Sequence, residues 1–237
     1  MYILGIETTG PLGSAALADE HGNTEMLLTS EPMSHLREIS SNIDRLIKSA
    51  GISPKDITAV AASIGPGSFT GIRIGVTTAR TYAQALGIKC IPVSSLEVFR
   101  QRCSEDNKVA AIFNARRGQV YGALFANDGS DILEPGAYML DDVKHAAEGF
   151  DDVVWYGDGT DAYAELLDGS KTAPESERYQ TAEMVCRAAF DKYKEGKLVS
   201  YEELMPDYMR AAEAEQKLKD GTLAKMRAAK MARFLTK

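Results

Sequence analysis

The feature that most restricts this chain is a repeated change of hydrophobic period through its first 103 residues. Residues 2–29 read as three strands, broken by turns at Gly10-Pro11 and His21-Gly22-Asn23. From Leu36 the period becomes helical: Leu36, Ile39, Ile43, Leu46 and Ile47 fall within about 100° of one face, and Gly51 stands where a helix-ending glycine belongs. A strand at 57–64, a glycine-rich turn and a helix over 70–86 closed by Gly87 come next. A strand at 89–93 and a helix opened by Ser94 or Ser95 complete the run. The order βββαβαβα is that of an α/β lobe.

The second half echoes the first. Offset by 107, Ala16-Leu17-Ala18-Asp19-Glu20-His21-Gly22 lies against Ala123-Leu124-Phe125-Ala126-Asn127-Asp128-Gly129, and the strand ending at Glu7 lies against one ending at Asn114. On periodicity alone, a duplicated lobe and two unrelated half-buried hairpins fit equally. A duplication puts the boundary at 104–108, with one lobe over 1–103, a second over 104–215 and a basic tail over 216–237. A strand at 153–156, a Gly157-Asp158-Gly159 turn and a helix around 181–194 are expected in the second half.

With 237 residues, 44% of them hydrophobic, the chain can fill a core, which excludes a disordered chain or a fibre. Its net charge of −7 argues against unaided wrapping of a polyanion, since Lys and Arg carry nucleic-acid affinity. The charge is uneven: 216–237 holds seven basic residues against Asp220 alone, so the rest carries −13. That tail reads as a solvated terminal helix or as a phosphate-contacting arm. Cys90, Cys103 and Cys186 form no CxxC pair, so neither a disulfide framework nor a thiolate zinc site is indicated. No basic segment precedes the first apolar run and no 18-residue apolar stretch occurs, so a soluble cytoplasmic protein without membrane contact is expected.

The most distinctive stretch is Gly65-Pro66-Gly67-Ser68-Phe69-Thr70-Gly71-Ile72-Arg73-Ile74-Gly75, joining a strand to a helix. Ser68 or Thr70 can cap that helix, and amides at its start could hold an anion; equally, the glycines could serve close packing. No P-loop lysine is present. The helix carries two stripes, one of Ile72, Val76, Ala79, Ala83 and Leu86, the other of Gly71, Gly75, Thr78 and Tyr82. The second stripe either packs inside the lobe or, with part of the 36–50 helix, meets another subunit. His21, His35 and His145 have no metal-ligand spacing. Glu7, Asp19 and Asp158 lie at strand ends or turns, where magnesium ligands or plain Asx turns would stand.

Together, Ile3-Leu4-Gly5-Ile6-Glu7-Thr8-Thr9, the 65–75 motif, Val93-Ser94-Ser95-Leu96 and Ala115-Arg116-Arg117-Gly118-Gln119-Val120-Tyr121 resemble the TsaB (YeaZ) family of bacterial tRNA threonylcarbamoyladenosine biosynthesis proteins. Gly157-Asp158-Gly159 and Pro206-Asp207-Tyr208-Met209-Arg210 are later echoes. The resemblance implies a two-lobed actin-like ATPase (ribonuclease H-like) fold with lobes related by duplication. It implies a part in attaching threonylcarbamoyl to the adenosine beside the anticodon of tRNAs reading A-starting codons. In that family the transfer belongs to a paralogue, TsaD, with a metal-binding HxxxH; here Ile39 stands four residues after His35. The TsaB subunit is then a non-catalytic partner of TsaD, joined by the ATPase TsaE, a homodimer when alone, and in touch with tRNA only through the complex. No catalytic or metal-ligating residue is assigned. Gly65, Gly67, Ser68, Thr70 and Gly159 are the candidate anion or nucleotide contacts, and ATP or ADP is expected only in the complex. Leu36, Ile39, Ile43, Gly71, Gly75, Thr78 and Tyr82 are the candidate partner interface. The family usually has Asp where this chain has Glu7 and Asn114, which puts nucleotide hydrolysis in question. The alternatives are a small actin-like ATPase or kinase with nucleotide between its lobes, and a glycoprotease-like metallopeptidase.

Overall fold

The computed structural model describes residues 1–31 and 35–209, with the side chains of all but His35 and Leu36. Strands β1 (Tyr2–Glu7), β2 (Ser14–Asp19) and β3 (Thr24–Leu28) precede α1 (His35–Ser49), β4 (Ile57–Gly65), α2 (Phe69–Leu86) and β5 (Lys89–Ser94). The second half holds β6 (Lys108–Arg116), β7 (Gln119–Phe125), β8 (Asp131–Met139), α3 (Leu140–Ala147), β9 (Val153–Tyr156), α4 (Gly159–Ala162), α5 (Glu175–Arg178) and α6 (Ala182–Lys194). Two sheets form, in the orders β3-β2-β1-β4-β5 and β8-β7-β6-β9.

The shared strand order makes the echo structural. β1 and β6 each run antiparallel to the following strand and parallel to the strand after the first helix. The register is one residue out: Leu4 faces Leu17, so the 107 offset would set Ala111 against Leu124, yet Ala111 faces Ala123. A bulge between Asn114 and Arg116 absorbs the difference and sets Arg116 opposite Gln119.

Strand alternation divides the core. Leu4 and Ile6 point to α1 and α2, where they meet Ile39, Ile43, Leu46, Ile72, Val76, Ala79 and Ala83. Ile3 points the other way, into a cluster with Val109, Phe113 and Phe125 of the second sheet and Val185 and Ala189 of α6. The helical period of α1 and α2 thus marks the face that each buries, at about 1.5–3 kcal/mol for every fully enclosed large aliphatic side chain.

Two expectations need correction. The second lobe is not one continuous stretch over 104–215. The far face of the first sheet presents Gly5, Ala16 and Ala18, side chains small enough for a helix to lie directly on them, and α6 does so with Ala182 and Cys186. The segment after α6 then returns along the first sheet. Cys90 and Val199 exchange backbone hydrogen bonds of 2.9 Å, Leu204 is fully buried among first-lobe residues, and the Asp207 N–H donates to the Ile64 carbonyl at 2.8 Å. The first lobe is therefore residues 1–103 together with α6 and the strap to Met209. Nor does Ser94 or Ser95 open an α-helix: a 3-10 turn covers Glu97–Arg102, and Ser95 is drawn into the site described below. The basic tail at 216–237 lies outside the described residues.

Candidate functional site

The end of β1 carries Glu7 into a junction with the turn that follows it and with β4, where it is fully buried. Its carboxylate accepts from the Thr9 N–H at 2.5 Å, from the Thr9 hydroxyl at 2.6 Å and from the Ser63 hydroxyl. A second layer backs this one. Thr9 Oγ1 lies 3.0 Å from Ser95 Oγ and accepts from Gln180 Nε2 at 3.1 Å. Four segments thus meet at the Glu7–Thr9 turn: the turn itself, the end of β4, the turn after β5 and the approach to α6. Burial raises the Glu7 pKa, and the donors from Ser63, Thr9 and Gly10 only partly offset it.

This donor set does not suit a hydrated magnesium ion with nucleotide. Both carboxylate oxygens are taken by the chain's own donors, and Gln180 is packed over Gly10, where an added Cβ would come within 2.8 Å of its Nε2. In the second lobe the equivalent strand, β6, carries Asn114 just before its bulge, and the Asn114 N–H donates to Asp158 at 3.1 Å. Burial raises the Asp158 pKa, and nearby Asp161 adds to the rise.

The raised pKa of Glu7 has a signed consequence. An acid whose folded pKa exceeds its unfolded one stabilises the fold fully below the unfolded pKa, near 4.5, and loses that contribution as pH climbs through the folded value. Melting temperatures of wild type and Glu7→Gln should therefore diverge with pH. The variant gains on wild type as pH rises above about 4.5, and a pH-independent difference would contradict the assignment.

The 65–75 turn is fixed by the same junction. Ser68 is the N-cap of α2: its Oγ accepts from the Gly71 N–H at 3.2 Å, while its own N–H donates to the Thr9 carbonyl at 2.9 Å. Thr70 is exposed in the first turn and does not cap. Gly65 and Gly67 have φ of 124° and 148°, and a Cβ would fall 2.0 Å from the Asp207 carbonyl or 2.6 Å from that of Thr9. At Gly71 it would fall 1.9 Å from the Thr8 carbonyl, and at Gly75 2.4 Å from Thr8 Oγ1. The glycines let α2 sit directly on the turn after β1. Gly159 is likewise buried, against the Ile112 carbonyl of β6.

The candidate interface residues separate. Ile39, Ile43, Gly71 and Gly75 are buried in the chain's own core, whereas Thr78 and Tyr82 are half-exposed. The Leu36 side chain lies outside the described residues. The three thiols are unpaired, and burial pushes Cys90 and Cys103 up to about 11 and Cys186 to about 12, far from a nucleophilic thiolate. Among the described residues no cluster of three His, Cys, Asp or Glu could hold a metal, and no helix is long and apolar enough to cross a membrane. Sequence reasoning missed Ser63, Ser95 and Gln180 as partners of the Glu7 turn. They lie 56, 86 and 171 residues from the groups they bond, and no periodicity links them.

The family model for tRNA N6-adenosine threonylcarbamoyltransferase, TsaD, matches residues 32–218. The tRNA threonylcarbamoyladenosine biosynthesis protein TsaB of Bacillus subtilis is 30% identical over 226 residues, spanning 92% of this chain and 97% of that protein. The chain belongs to the TsaB family. TsaB of Escherichia coli is also 30% identical, over 92% of this chain and 98% of its own length. YeaZ from Pseudomonas aeruginosa superposes with a TM-score of 0.73 at 25% identity, covering 87% of this chain and 99% of that one.

Proposed function

We propose that this chain is a non-catalytic subunit of a tRNA threonylcarbamoyltransferase complex. It binds the catalytic paralogue, TsaD, and orients or stabilises it, and the ATPase TsaE completes the assembly. The modified position is the adenosine beside the anticodon of tRNAs reading A-starting codons, and the setting is the cytoplasm. The names of the relatives from Bacillus subtilis and Escherichia coli support the pathway. One observation carries the non-catalytic assignment: the carboxylate at the end of β1 is spent on Thr9 and Ser63 and presents no free oxygen to a substrate. A subunit so arranged acts through its surface. No nucleotide is held firmly by the chain alone, and ATP or ADP enters only in the complex, near the 65–70 turn.

The partner face is the outer strip of α2 with the neighbouring part of α1, and in isolation the same strip pairs two copies of the chain. Thr78 is the residue to change, because its hydroxyl donates only to the Ile74 carbonyl of its own helix, at 2.8 Å, and it is half-exposed. Thr78→Glu should abolish co-purification with TsaD and give a monomer by light scattering, with an unchanged circular dichroism spectrum. Retained co-purification would overturn this placement of the face.

A further inference from the structure

The hairpin joining β6 to β7 has a backbone at odds with its side chains. Arg116 has φ of 66°, Arg117 of 57° and Gly118 of 75°. Arg116 pairs with Gln119, so Arg117 and Gly118 form a two-residue loop with positive φ at both positions, and Arg116 is the left-handed residue beside the bulge. Such positions favour glycine or asparagine, because a Cβ crowds the backbone there. Two arginines occupy them instead.

The conformation is imposed from below. Asn114 Oδ1 accepts from the Arg116 N–H at 2.8 Å, Tyr163 Oη donates to the Gln119 carbonyl at 3.1 Å, and Asp158 holds the Asn114 N–H. Both arginines are exposed, and among the described residues no carboxylate pairs with the Arg116 guanidinium. Left-handed non-glycine residues persist where the surrounding structure over-determines them, and they concentrate at functional sites. Packing does not explain the left-handed Arg116, which is exposed.

We propose that Arg116 and Arg117 form a phosphate-contacting tip that engages the backbone of the tRNA substrate. The choice of RNA over another phosphate bearer rests on the proposed function above. A guanidinium matches a phosphate in a bidentate fork, and two on one rigid turn give an otherwise acidic body a local contact with a polyanion. The contact positions the RNA and reads no sequence.

The test uses the full chain, alone and bound to the catalytic paralogue, with a tRNA transcript titrated over a salt series. In the double variant Arg116→Gly/Arg117→Gly, affinity should fall at least about tenfold near 0.1 M salt and the log–log salt slope by about 2, one for each lost contact. The same variant should melt about 2–4 °C higher, because glycine relieves the left-handed positions. Arg116→Lys/Arg117→Lys should keep most of the slope. Unchanged affinity and slope would overturn the proposal, as would no tRNA binding by the wild-type chain in either form. Loss of affinity only because the complex dissociates would also overturn it, since the arginines would then bind protein. If the wild-type chain fails to bind the paralogue, the scaffold reading fails, while the slope on the chain alone still decides the role of the arginines.

Discussion

Replacing Gly71 by alanine should destabilise the fold by about 3 kcal/mol or more, a fall of roughly 6–12 °C in melting temperature for a chain of this size. On helix propensity alone the change should stabilise by close to 1 kcal/mol, so the sign tests the geometry. The new Cβ would lie 1.9 Å from the Thr8 carbonyl, a backbone atom with no rotamer to escape into. Gly75→Ala meets a different obstacle. Its Cβ would lie 2.4 Å from Thr8 Oγ1 but 3.7 Å from Thr8 Cβ, so the offending atom is a single side-chain oxygen. That oxygen donates to the Gly71 carbonyl at 2.7 Å, so removing it costs a buried hydrogen bond, about 1 kcal/mol. Thr8→Ala should therefore rescue Gly75→Ala in part and leave Gly71→Ala unrescued. Thermal denaturation of wild type, the three single variants and the two double variants gives both coupling energies, and equal rescue of the two glycine variants would contradict the packing.

What the sequence could disclose follows from the range over which each signal acts. The period change from two to 3.6 is local, so β1 to β5 and the helices α1 and α2 could be placed to within a residue or two. Gly87 as the α2 stop was legible because a left-handed C-cap residue follows from chemistry within one turn. β8 and α3 escaped notice: β8 is an edge strand whose largely exposed pattern and Pro135 blur the alternation. The return of α6 to the first sheet was invisible, because a helix of that pattern fits either lobe and only Gly5 and its small neighbours decide which. The Gly71, Gly75, Thr78 and Tyr82 stripe shows the limit of a helical wheel most clearly. It marked a face of small residues correctly but could not say that Thr8 covers half of it.

The second large effect concerns activity. If the chain works through its surface, leaving it out should drop reconstituted threonylcarbamoyl transfer to tRNA at least about 100-fold, a loss of roughly 2.7 kcal/mol in transition-state stabilisation by the catalytic partner. Thr78→Glu should fall nearly as far, because a charge on the contact strip separates the subunits before any chemistry begins. Glu7→Gln should behave quite differently. The amide keeps the size and the acceptor oxygen facing Thr9, and Ser63 can turn its hydroxyl to accept from the new NH2 group, so the junction survives without a carboxylate. Transfer assayed side by side with wild type, with no TsaB-family subunit, and with Glu7→Gln is the most direct measurement. A non-catalytic subunit predicts background transfer without the chain and transfer within about twofold of wild type for Glu7→Gln. Full transfer without the chain, or transfer lost with Glu7→Gln in an intact complex, would contradict it.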